Sequence, residues 1–80
     1  MNNGIIVYTT QTCGPCRRLK RGLDEAGVSF REVDINHEPE VARQIERATG
    51  GYRIVPTVQV GSRLLVNPAV DEVIGHVASN

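Results

Sequence analysis

Cys13 and Cys16 are the only cysteines in this 80-residue chain, and they enclose Gly14 and Pro15. Thiols at this spacing can close a disulfide with each other, so the pair can pass two electrons to another disulfide by thiol–disulfide exchange. The reacting species is the thiolate, and an unperturbed cysteine, ionising at about 8.5, is mostly protonated near neutrality. The apolar run Ile5-Ile6-Val7-Tyr8 precedes the pair and a helical pattern follows it. That order predicts a strand-to-helix turn, where free backbone N–H groups and the helix dipole favour an anion. Lowering the thiol to roughly 7 would make about half of it reactive. Cys13, at the helix start, is then the attacking nucleophile, and Cys16, one turn further in, resolves the mixed disulfide. Pro15 suits the first turn, where its missing N–H would have had no partner.

Two blander readings stand beside this one: a pair of inert buried thiols, or half of a metal site. His37 and His76 are the only imidazoles, and their spacing fits no zinc-finger pattern. An iron–sulfur carrier with its cluster shared between two chains remains an alternative, although Pro15 stiffens the turn that would have to open. Arg17, Arg18, Lys20 and Arg21 follow the motif. Lys20 and Arg21 read as a solvated helix face, while Arg17, one turn from Cys13, can hold the thiolate or an anionic substrate. Exposed charges are worth little, so the helix terminus should outweigh any single arginine.

A second informative segment is Ile54-Val55-Pro56-Thr57. A proline entering a strand must sit at its first residue or on an edge. Base rates favour a trans bond there. Together with the upstream cysteines, this proline reads instead as a cis Val55–Pro56 bond opposite the CxxC turn, leaving the Val55 backbone free to pair with an extended thiol substrate.

The elements that must position these groups follow from periodicity. Residues 4–9 read as a buried strand, and a helix runs from about Gly14 to Ala26, with Leu19, Leu23 and Ala26 at helical spacing and Gly27 as its stop. Val28 to Ile35 reads as a second strand with Val33 and Ile35 on one face. Asn36 is expected to cap a helix over Pro39 to Thr49 that buries Val41, Ile45 and Ala48 and ends at Gly50-Gly51. Thr57–Val60 and Arg63–Val66, joined by Gly61-Ser62, predict an antiparallel hairpin. Val70, Val73, Ile74 and Val77 make the apolar stripe of a last helix. The order β-α-β-α-β-β-α predicts an α/β fold, a four-stranded mixed sheet flanked by three helices, with the cysteines at the C-terminal end of the first strand.

Length and composition narrow the function. Residues 1–80 are read as a single domain. A cysteine pair three apart closes too short a loop to staple a fold, which argues against a secreted disulfide scaffold. The Met1–Gly4 start has no basic region, and the apolar run after it is too short for a signal peptide or a membrane span. The expected address is cytoplasmic. A formal net charge of zero and 4% aromatic residues argue against a nucleic-acid partner.

With these residues in view, the chain resembles the glutaredoxin branch of the thioredoxin superfamily over essentially its whole length. Gly50-Gly51-Tyr52-Arg53-Ile54-Val55-Pro56-Thr57-Val58, followed by Asn67-Pro68-Ala69-Val70-Asp71-Glu72-Val73, is most similar to the mycoredoxins, the actinobacterial members that use mycothiol. The resemblance implies a thioredoxin/glutaredoxin fold and a monomeric thiol–disulfide oxidoreductase with no bound cofactor or metal. Its co-substrate would be mycothiol or another low-molecular-weight thiol, and its targets disulfide-containing or mycothiolated proteins. It makes Cys13 and Cys16 catalytic and Val55-Pro56 the platform. It places Arg53, Asn67, Pro68 and Asp71 along the thiol groove, with Tyr8 and Thr12 near the motif. Mycoredoxins usually carry an aromatic residue before the first cysteine and a tyrosine inside the pair, where this chain has Thr12 and Pro15, and a threonine where it has Ile54. Cys-Gly-Pro-Cys is the thioredoxin version, which implies a more reducing couple. The nearest rival is a thioredoxin-like redoxin, of the kind that feeds ribonucleotide reductase, recycled by thioredoxin reductase. The Trp-Ser-Gly-Phe segment of those redoxins is absent here.

Overall fold

A computed structural model describes residues 4–78. Met1–Asn3, the residues on which the reading of the N-terminus chiefly rests, lie outside the described residues. Strand β1 (Ile5–Thr9) is followed by helix α1 (Gly14–Glu25), β2 (Arg31–Asp34), a 3-10 turn (Ile35–His37), α2 (Pro39–Thr49), β3 (Thr57–Val60), β4 (Arg63–Val66) and α3 (Val70–Ala78). The four strands form one sheet in the order β2-β1-β3-β4. β1 pairs parallel with β2 and antiparallel with β3, which pairs antiparallel with β4. This is the mixed thioredoxin/glutaredoxin arrangement expected.

β1 is central, and its near-continuous apolar sequence reflects cover on both faces. Alternation along the strand divides the core in two. Ile5 and Val7 join Val58, Val60 and Leu65 against Leu19 and Leu23 of α1 and Val73 of α3. Tyr8 on the other face packs with Ile35, Ala42 and Ile45. Leu23 and Val73 are wholly buried, and each such side chain contributes on the order of 1.5–3 kcal/mol by leaving water.

Four sequence expectations need correction. β2 begins at Arg31 instead of Val28. The Val28 N–H bonds the Leu23 carbonyl at 2.9 Å and the Gly27 N–H bonds that of Asp24 at 3.1 Å, so the residues after α1 close its end as a Schellman motif. Gly27, at φ +73°, makes that left-handed turn, and Ala26 is an exposed cap residue outside the apolar stripe. Asn36 does not cap α2. Its own N–H is bonded by the Asp34 carboxylate at 2.9 Å inside the 3-10 turn, and α2 starts at Glu38-Pro39 with no side-chain cap. The buried residues of α2 are Ala42 and Ile45, with Val41 half-buried, while Ala48 is exposed. Thr49 takes the next place on that stripe, and its hydroxyl bonds the Ile45 carbonyl at 2.9 Å.

Candidate functional site

The polypeptide leaves β1 at Thr9 and enters α1 at Gly14, so the two cysteines sit where strand gives way to helix. Cys13 is the N-cap of α1, in extended conformation at φ −88° and ψ 106°. Its sulfur accepts the N–H of Cys16 at 3.0 Å, as a serine oxygen would at an N-cap. Pro15 occupies the first turn. The cysteines are joined as a disulfide with Cα atoms 5.2 Å apart. They differ in access: Cys13 keeps 9% of its surface and Cys16 only 1%. Attack from solvent therefore meets Cys13 first.

Two depressions flank the motif. A groove of about 220 Å³ runs between Pro15, Arg18 and Leu19 of α1 and Pro56, Asn67 and Pro68 opposite. The Val55–Pro56 bond is cis. Asn67, left-handed at φ +50°, donates its N–H to the Pro56 carbonyl at 2.9 Å and so ties the far wall to the platform. Asparagine tolerates that conformation better than most residues. The second depression, about 320 Å³, opens on both cysteines and is polar, with Gln11, Arg17, Lys20, Glu32 and Asp34 in its walls. Across it Lys20 Nζ reaches Glu32 Oε2 at 2.6 Å, and the buried Thr9 hydroxyl donates to the same oxygen at 3.0 Å. The Lys20 hydrogen bond holds the Glu32 carboxyl below its ordinary range; partial burial opposes this and Thr9 assists it. A larger cavity of about 460 Å³, bounded by Arg43, Glu46, Arg47, Gly50 and Gly51, lies at the C-terminal end of α2 and holds neither cysteine.

Of the residues singled out in the sequence, Pro56, Asn67 and Pro68 come together across from the motif. Val55 is half-buried against the Tyr8 side of the core. Thr12 is exposed beside Cys13, Asp71 is exposed in the first turn of α3, and exposed Arg53 pairs through Nε with Glu46 at 2.9 Å. Tyr8 is not brought to the groove. It is 5% exposed in the core on the α2 side, its hydroxyl donates to Gln59 at 2.9 Å, and burial raises its ionisation above the usual phenol value against the pull of Arg31. Lys20 is likewise more than a solvated residue, since it bridges α1 to β2 over the cysteine cleft. Sequence reasoning missed Arg18, Leu19 and Val70 in the groove and Thr9 and Glu32 in the cleft. Glu32 carried a usable signal, a carboxylate on a strand expected to run parallel beside the motif. Among the described residues no three His, Cys, Asp or Glu side chains gather as a metal site, and no helix is long and apolar enough to cross a membrane.

A cysteine pair at a helix N-terminus, beside a cis-proline and on this sheet, defines a dithiol–disulfide oxidoreductase of the thioredoxin fold. The glutaredoxin family model matches residues 5–65, and the chain belongs to the glutaredoxin family. A Mycobacterium tuberculosis protein, provisionally named as a glutaredoxin, is 41% identical over 70 residues, 86% of this chain and 83% of its own. Mycoredoxin 1 of Corynebacterium glutamicum is 32% identical over 76 residues, 94% of each chain. Among solved structures, the Archaeoglobus fulgidus glutaredoxin shares the fold with a TM-score of 0.76 at 20% identity, over 94% of this chain and 86% of that one. The glutaredoxin-like NrdH-redoxin of Escherichia coli, described as having a thioredoxin-like activity profile, aligns with a TM-score of 0.65 and 32% identity over 75% of this chain and 76% of its own.

Proposed function

We propose that this protein reduces protein disulfides and protein–mycothiol mixed disulfides in the cytoplasm, as a single-domain monomer that takes its electrons from mycothiol. The observation that carries the reading is the asymmetry of the pair: a Cys13 that keeps some exposure and has a helix N–H aimed at its sulfur, and a more deeply buried Cys16 beside it. The Cys13 thiolate attacks a substrate sulfur, a Cys13–substrate disulfide forms, and the other half leaves as a thiolate that takes a proton from water. Cys16, deprotonated in turn, attacks Cys13 Sγ and releases the second thiolate, leaving the Cys13–Cys16 disulfide. The substrate has gained two electrons and two protons. Two mycothiol molecules restore the dithiol and become mycothiol disulfide, which an NADPH-dependent reductase recycles. The Pro56–Asn67–Pro68 wall faces α1 across a groove that can take the thiol portion of the substrate. Arg53, Asp71 and Thr12 are exposed, and in this reading they meet its polar groups. Mycothiol as the electron source is supported by the 32% identity to Mycoredoxin 1 across nearly the whole of both chains.

A specific observation favours a second reading. Cys-Gly-Pro-Cys and the likeness to NrdH-redoxin support a reductant recycled directly by thioredoxin reductase. Mass spectrometry on a mycothiolated peptide tests the proposal. Cys16→Ser protein should trap mycothiol on Cys13 and set the peptide thiol free, and added mycothiol should clear the adduct. Recovery of the peptide on Cys13 instead, with mycothiol released, would contradict use of the groove for mycothiol.

A further inference from the structure

Two glycines lie well inside helices, and they differ in what a side chain would meet. A Cβ at Gly75 in α3 would find nothing within 4 Å. A Cβ at Gly22 in α1 would fall 2.5 Å from Val70 Cγ2, 3.3 Å from Cγ1 and 3.4 Å from Cβ. Gly22 has ordinary helical backbone, so no left-handed turn requires glycine there. Glycine weakens a helix interior relative to alanine, and at Gly22 the return is the close seat of Val70. A valine cannot give way easily: its χ1 is stiff, and both of its methyls and its Cβ already crowd this point. The first residue of α3 would have to move instead. Val70 is itself a wall of the groove and is directly continuous with Asn67, Pro68 and Ala69, which form the same wall. The near wall, Arg18 and Leu19, lies one turn before Gly22 on α1.

We infer that Gly22 is a positioning residue that sets the width of the thiol groove, by letting α3 seat Val70 directly on α1. It selects for a narrow thiol co-substrate lying between Pro15 and Pro56–Pro68. The inference rests on the proposed use of that groove, and the test separates the two. Steady-state kinetics with a mycothiolated peptide are measured for the parent, Gly22→Ala, Val70→Ala and their combination, with Gly75→Ala and Ala69→Trp alongside. Gly22→Ala should raise KM at least fivefold with kcat within twofold, whereas in the Val70→Ala background the same change should move KM by less than twofold. Gly75→Ala should leave KM unaltered. Ala69→Trp, which fills the groove from an exposed position on its wall, should raise KM as well. KM unchanged in Gly22→Ala, with the Ala69→Trp effect present, overturns the inference and leaves the groove reading standing. KM unchanged in Ala69→Trp overturns both. Should Gly22→Ala not fold, the Val70→Ala background still decides, because a fivefold rise on adding Gly22→Ala there contradicts a role that acts through Val70.

Discussion

At the scale of single residues, the chemistry depends on a donor that is in place before any charge appears. The Cys16 N–H already points at Cys13 Sγ in the disulfide, so reduction delivers a thiolate into a prepared bond and the positive end of α1. Ultraviolet titration of the reduced protein should place the Cys13 pKa below the unperturbed value of about 8.5, and a value at or above it would contradict this account. Cys13→Ser should abolish disulfide reduction, whereas Cys16→Ser should retain release of mycothiol adducts. Glu32 makes a different kind of prediction. Its folded pKa is lowered chiefly by Lys20, so its contribution to stability is complete above the unfolded carboxylate value and is lost as pH falls through the folded one. The side chain is 44% exposed, so solvent screening keeps the effect under about 1 kcal/mol. Thermal melts should show Glu32→Gln less stable than the parent at pH 7, with the deficit shrinking as the pH is taken below the ordinary carboxylate range. A deficit that does not change with pH would mean that the carboxylate charge plays no part.

Secondary-structure elements carry the account of what could be read in advance. The cysteine turn, the hairpin and the Pro39–Thr49 helix were legible because cap, turn and proline chemistry mark them locally. Val28 was misread because its apolar side chain suits a strand, while its N–H is taken by the Leu23 carbonyl in a cap that depends on Gly27. Ala48 was misread because an apolar letter at helical spacing says nothing about a neighbouring threonine that can satisfy its hydroxyl by bonding the Ile45 carbonyl. The groove was half legible. Pro56, Asn67 and Pro68 stood out as special backbone residues, but Leu19 and Val70 look like ordinary core and reach the site only through the packing of α1 on α3. The same packing separates the two helical glycines energetically. Gly75→Ala should stabilise the protein by about 0.5–1 kcal/mol, read as a higher Tm. Leu23→Ala, at a wholly buried position on the same helix as Gly22, should cost about 2–5 kcal/mol. Gly75→Ala lowering Tm would show that α3 tolerates no added methyl even on its open side.

For the molecule as a whole, the fold sets Cys13 and Cys16 in the wall of a cleft lined by charged side chains, with Pro15 between them and the groove under Pro56. The two proposed readings part at the source of electrons. The motif interior matches thioredoxin, while identity across nearly the full chain points to Mycoredoxin 1. These pull in opposite directions, and a coupled assay separates them. Oxidised protein is supplied with NADPH and either mycothiol plus mycothiol disulfide reductase, or thioredoxin reductase alone. The account predicts NADPH consumption with the mycothiol system. Turnover with thioredoxin reductase and none with mycothiol would contradict it, and would mean that Gly14 and Pro15 outweigh the groove in choosing the reductant.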